Sequence, residues 1–101
     1  MDCMRVATYE IKTGTFQEIA DKAHDGMLKT FSKQPGFIRY GLADVGNRKC
    51  LSISLWNTHQ NADAAVPVAA GWVRENLNDR VELKSTTIGD LAFFEGAPAT
   101  V

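Results

Sequence analysis

The chain is poor in the residues from which most site chemistry is built. It has two histidines and two cysteines in 101 residues, scattered along the sequence, so no metal-ligand spacing and no Ser-His-Asp or Cys-His set can be read from it. It also lacks a glycine-rich phosphate loop. Its longest nearly apolar run, Ala64 to Val73, is too short to span a bilayer and reads as a buried helix. Neither sign of charge dominates: 11 Lys and Arg stand against 12 Asp and Glu, a net −1, which leaves no broad basic field for nucleic acid or an anionic membrane. Met1-Asp2-Cys3-Met4-Arg5 has an acid where a signal peptide needs a base, and no apolar segment follows. A cytoplasmic protein without metal or cofactor is expected, with Cys3 and Cys50 as small buried thiols.

What is present is ordinary globular material, 45% hydrophobic and 23% charged, enough for one domain over residues 1–101 with its core at about 4–95. The clearest stretch is Pro35 to Trp56, where Leu51, Ile53 and Leu55 alternate with Ser52 and Ser54, the period-2 pattern of a strand with one buried face. Gly46-Asn47 falls where a two-residue type II′ turn would join this strand to the one before it. Met4 to Lys12 reads as a first strand, with Val6 and Thr8 on one side and Ala7, Tyr9 and Ile11 on the other. Thr15-Phe16-Gln17-Glu18 matches a capping box. The helix it opens carries Phe16, Ile19, Ala20, Ala23, Met27, Thr30 and Phe31 on one face and ends near Lys33.

After the hairpin, Asn57 and Thr58 are good N-caps. Pro67 predicts a break, giving a short helix from about His59 to Ala65 and a second from Pro67 to about Asn78. Val81 to Ile88 reads as the last strand, and residues from Gly96 onward as frayed. The order is β-α-β-β-α-β: an α+β, ferredoxin-like fold with two helices on one face of a four-stranded antiparallel sheet. In this layout the strands that begin near Cys3 and Cys50 are expected side by side and parallel, which makes a disulfide geometrically conceivable. Ile38, Tyr40 and Leu42 alternate against Phe37, Arg39 and Gly41, and Leu91, Phe93 and Phe94 follow the last strand. That is more apolar area than one helical layer covers, so a homodimer is expected.

The element order, the Pro35-Gly36-Phe37 entry to the second strand, and the third strand ending at Trp56 before Asn57-Thr58 and an alanine-rich helix resemble the antibiotic biosynthesis monooxygenase-like family. Trp72-Val73-Arg74-Glu75-Asn76-Leu77 is similar to that family's late-helix segment. The resemblance implies a dimeric α/β barrel with a pocket in each subunit between sheet and helices. It further implies a cofactor-independent monooxygenase acting on a small aromatic or quinone-like metabolite, or else a non-catalytic dimeric binding or interaction module. The haem-degrading branch of the family uses an Asn on the first strand, with a Trp and an axial His on the second helical region. Met4 to Lys12 has no Asn, Pro67 to Asn78 has Trp72 but no His, and His59 at the cap is a poor match, so haem chemistry is disfavoured.

Catalysis without metal or flavin asks the protein for a dry cavity, a proton acceptor, and donors that hold a phenolate. His24, beside Ala20 and Leu28 on the first helix, is the candidate acceptor, with a half-exposed boundary histidine as the commoner role for such a residue. Trp72 and Asn76 lie one turn apart and could stack on and orient an aromatic substrate; a dimer-interface or core-edge role suits Trp72 equally. Tyr9, Tyr40 and Trp56 are candidate pocket walls, Trp56 more as a core anchor. Arg39 could meet an anionic substrate or pair across the sheet with Asp44 or Glu10. His59 serves the start of its helix.

Overall fold

The computed structural model describes residues 2–97. Strands β1 (Cys3–Ile11), β2 (Phe37–Gly46), β3 (Lys49–Trp56) and β4 (Val81–Asp90) form one sheet in the order β2-β3-β1-β4, with every neighbouring pair antiparallel. Helix α1 spans 16–32 and helix α2 is His59–Asn76. Both pack on the same face of the sheet, so the architecture is the α+β, ferredoxin-like one expected from the element order. The end expected to fray lies largely outside the described residues.

Strand β1 shows why the layers form. Its odd residues, Cys3, Arg5, Ala7, Tyr9 and Ile11, are buried, and its even residues are half-buried. That alternation turns one row toward the helices and the other toward the opposite face. Ile19, Ala23, Met27 and Phe31 of α1 and Ala62, Ala65 and Ala69 of α2 meet the buried row. Phe31 stands edge-on to Tyr40 and Trp56, with ring centroids 5.3 and 5.2 Å apart. Phe31 and Trp56 are fully buried, and each contributes on the order of 2–3 kcal/mol of hydrophobic stabilisation.

Several local expectations are corrected. The strands bearing Cys3 and Cys50 are antiparallel, not parallel: Cys3 faces Trp56, and Cys50 faces Tyr9. A βαβ crossover returns β2 parallel to β1, and the hairpin then reverses β3 into the gap between them. The two free thiols are therefore separated by the run from Cys3 to Tyr9, roughly 20 Å at the rise of a strand, and no disulfide can join them.

The hairpin turn sits one residue later than Gly46-Asn47. Gly46 still belongs to β2, and Asn47 and Arg48 are the central pair, with φ of 54° and 58°. Two successive positive φ values are the type I′ signature. Arg48 is held in this unfavourable region by its guanidinium, whose Nε donates to the Ile11 carbonyl at 3.0 Å, while its own carbonyl accepts from Ile11 N at 2.7 Å. Asp44 Oδ1 accepts from Gly46 N at 3.0 Å, next to a register shift between Asp44 and Gly46.

Helix α2 is continuous through Pro67 rather than broken there. Pro67 and Asp63 are both on the exposed side, so the carbonyl left without an intrahelical donor faces water. Helix α1 carries the irregularity instead: α-helical Phe16–Lys22 and Leu28–Ser32 flank a π-helical turn, Ala23–Met27. Thr15 caps its start, accepting from Glu18 N at 3.2 Å. In β2, Ile38 does not share the face of Tyr40 and Leu42. A register shift between Phe37 and Arg39 turns Phe37 inward with them and leaves Ile38 exposed.

Candidate functional site

The inner face of the sheet is more polar than its strand alternation suggests. In β3 the residues turned to the helices are Cys50, Ser52, Ser54 and Trp56, and the Leu51, Ile53 and Leu55 row is turned away. Across the inner face, Tyr40, Ser54, Arg5 and Ile88 are register neighbours on four strands, and Leu42, Ser52, Ala7 and Thr86 form the next row. Trp56 Nε1 donates to Ser54 Oγ at 2.9 Å. Arg5 is only 2% exposed, and its Nε is buried without a hydrogen-bond partner.

A guanidinium stays protonated in proteins and carries donors only. Among the described residues the buried polar or charged side chains are Arg5, Ser52 and Ser54, so no buried carboxylate answers this charge. Beside it lies a cavity of about 20 Å³, bounded by Arg5, Tyr9, Tyr40, Ser52 and Trp72 and lined otherwise by apolar side chains such as Met27. That volume suits one water molecule.

Burial pushes the Tyr40 phenol up to about 12, with a hydrogen bond to Ser52 pulling the other way. Burial, and then Asp44, also push the Cys50 thiol up. Both groups are therefore neutral near pH 7: Tyr40 is a hydrogen-bond donor, and Cys50 a wall rather than a thiolate nucleophile. Outside, between α1 and β2, lies an open cleft of about 280 Å³ that shares Ala23, Tyr40 and Leu42 with the cavity. Trp72 closes the other flank, packed so tightly on the π-helical turn that a methyl group on Gly26 would overlap its indole.

No protein-family model matches the chain, and no curated protein matches it. Solved structures do. The chain superimposes on SnoaB, a cofactor-independent oxygenase from Streptomyces nogalater, with a TM-score of 0.71 at 14% identity over 92% of this chain and 95% of that one. A Chloroflexus aurantiacus protein described as an antibiotic biosynthesis monooxygenase gives 0.63 at 12% identity over 95% and 98%. The chain has the antibiotic biosynthesis monooxygenase-like fold. MupZ from Pseudomonas fluorescens shares it, with a TM-score of 0.69 at 17% identity over 86% of this chain and 69% of that one. At such identities the antibiotic biosynthesis monooxygenase-like likeness is one of fold alone, and the chemistry has to be argued from this chain's own side chains.

The fold brings some of the sequence candidates together and separates others. Tyr9, Tyr40 and Trp72 line the inner cavity. His24 does not: its side chain is 78% exposed, with Nδ1 3.4 Å from Asp25 Oδ1, and it borders the outer cleft. Asn76 is exposed and donates to the Trp72 carbonyl at 2.9 Å, within its own helix. Arg39 is exposed and shares the sheet's other face with Leu55. Trp56 is fully buried in the core. Arg5, Ser52 and Ser54 join the site from outside the sequence candidates, and the parity that sets Ala7, Tyr9 and Ile11 on one side of strand 1 extends to Arg5 as well.

Proposed function

We propose that the chain is a cofactor-independent monooxygenase-like enzyme that takes a small aromatic or quinone-like metabolite, as its phenolate or enolate, into the space between sheet and helices. The observation that carries this reading is Arg5, a buried cation without a carboxylate partner beside hydroxyl donors and an aromatic wall. An isolated buried charge costs several kcal/mol, and an anionic ligand would offset that cost. The space admits a ring once Tyr40 and Leu42 on the edge strand β2 yield and the cavity joins the outer cleft, with which it shares both residues.

The chemistry requires no base inside. Arg5 lowers the pKa of a bound phenol, so the substrate enters or ionises as the anion, while Tyr40 and Ser52 donate to its oxygens. The electron-rich anion reduces oxygen itself: one oxygen atom is added to carbon, the other leaves as water with the substrate's two hydrogens, and the substrate supplies the electrons. Trp72 and the apolar wall keep bulk water away from the intermediate.

The assay is oxygen uptake with a panel of dihydroxy-aromatic and anthrone-type substrates. Uptake is expected, and Arg5→Met should lower kcat/KM by roughly 100-fold or more, equivalent to about 3 kcal/mol. Uptake unchanged in Arg5→Met would refute the reading. Saturable binding of an aromatic anion with no turnover under air would favour the second reading, a non-catalytic dimeric binding module; it too uses Arg5, as a ligand anchor. In either case we propose a homodimer in the cytoplasm, with the outer faces of two sheets covering each other. It is supported by the row of Met4, Val6, Leu51, Ile53 and Leu55 on that face and by the exposed Phe93 and Phe94 beyond β4.

A further inference from the structure

A second cluster lies at the end of the sheet, away from the Arg5 cavity. Cys3 opens β1 and faces Asp90, the last residue of β4, directly across the ladder. His59, the first residue of α2, reaches over the pair from the helical layer. Its Nδ1 lies 3.9 Å from Cys3 Sγ and 3.4 Å from Asp90 Oδ1, and the three ligand atoms are all within 4.8 Å of one another. The other ring nitrogen, Nε2, is 3.5 Å from Asp63 Oδ2, one helical turn on.

We propose that Cys3, His59 and Asp90 form a binding site for zinc or a similarly thiophilic divalent cation. Three features argue for it together. The donors are a sulfur, an imidazole nitrogen and a carboxylate oxygen, the set that selects zinc over calcium or magnesium. Their spacing is close to what a tetrahedral ion needs: with bonds of about 2.3 Å to sulfur and about 2.0 Å to nitrogen and oxygen, neighbouring ligand atoms stand about 3.3–3.5 Å apart. Asp63 then does what a carboxylate commonly does behind a metal-bound histidine, accepting from Nε2–H and so fixing the tautomer that leaves Nδ1 free to bind.

Cys3 is buried while His59 and Asp90 are exposed, so the site is walled on one side and open to water on the other. A fourth ligand position is left for water. Binding displaces the Cys3 thiol proton to solvent and places the cation between a thiolate and a carboxylate. Because the ligands come from β1, α2 and β4, the cation also ties the start of β1 to two elements that lie far along the chain from it.

The test is titration of the chelator-treated full chain with Zn²⁺ by calorimetry, and with Co²⁺ by absorbance. One Zn²⁺ per chain is expected at submicromolar affinity. Co²⁺ should give a thiolate-to-cobalt charge-transfer band and the strong visible bands of a tetrahedral site, with the charge-transfer band lost in Cys3→Ser. His59→Ala and Asp90→Asn alter exposed side chains and should each lower affinity by roughly 100-fold or more, whereas Asp63→Asn should lower it about 10–100-fold. His24→Gln should bind as the parent does. Absence of saturable binding at micromolar Zn²⁺ would overturn the proposal, as would parental affinity in His59→Ala even if Cys3→Ser proved unable to fold.

Discussion

The two faces of β3 were given opposite tasks. Toward the helices the strand presents Cys50, Ser52, Ser54 and Trp56; away from them it presents Leu51, Ile53 and Leu55, beside Met4 and Val6 of β1. A chain selected only to stand alone would put its aliphatic row under the helices, where burial is complete, and its serines toward water. This one turns serines and an arginine inward and its aliphatic residues outward. An inner face of that kind gives up hydrophobic stabilisation in favour of hydrogen-bond donors around a cavity, and an outer face of that kind gains its stabilisation only when something covers it.

The largest effect should come from charging the outer face. Ile53 faces Val6 and Gly41 across the ladders, at the centre of the aliphatic patch. Ile53→Asp is expected to weaken dimerisation by at least about 100-fold, roughly 3 kcal/mol, seen in light scattering as a two-chain species falling to one. A parent protein that is monomeric at micromolar concentration would break the comparison at once, because Met4, Val6, Leu51 and Ile53, half-buried in the single chain, would then gain no further cover. The inner face should respond with the opposite sign. Arg5→Met fills similar volume without a charge and is expected to raise stability by about 1–3 kcal/mol in urea unfolding while removing anion binding. A loss of stability would mean that Arg5 is satisfied by enclosed water and serves the fold rather than a ligand.

The fold was legible because its signals are local. The capping box at Thr15, the alternation from Leu51 to Trp56 and the glycine before the turn each act within a few residues, and together they leave little freedom in element order. The misreadings arose where a distant contact decides. The hairpin turn moved by one residue because Ile11, on another strand, holds Arg48 at positive φ. Pro67 failed to break α2 because its side of the helix meets only water. Which row of β3 faces the helices depends on the register with β1, and alternation alone fixes a period but not a direction. The site was harder to read for the same reason. Tyr9, Tyr40 and Trp72 were chosen for their residue types and do line the cavity. Arg5 stood on a readable parity yet was passed over, because arginines are so seldom buried without a partner. The meeting of Cys3, His59 and Asp90 exists only once three elements have packed.

The smallest effect tests how dry the inner face is. Burial holds the Tyr40 phenol at about 12, above its usual 10, so the folded chain binds that proton more tightly than the unfolded chain does. The stability attached to it is complete below pH 10 and declines as pH rises from 10 toward 12, when the unfolded phenol ionises and the folded one does not. Two pH units correspond to about 2 kcal/mol, allowing for partial solvent access. Tyr40→Phe abolishes this particular loss. The Cys3 and Cys50 thiols, both raised from 9.0 chiefly by burial, add an alkaline decline of their own that parent and variant share, so the difference between the two proteins reports Tyr40. Urea midpoints measured from pH 9 to pH 12 should therefore diverge, with the variant flatter. Parallel curves would mean that Tyr40 is solvated through the cleft it shares with Leu42 and His24, and that the inner face is no drier than the half-buried outer row of Met4, Val6, Leu51 and Ile53.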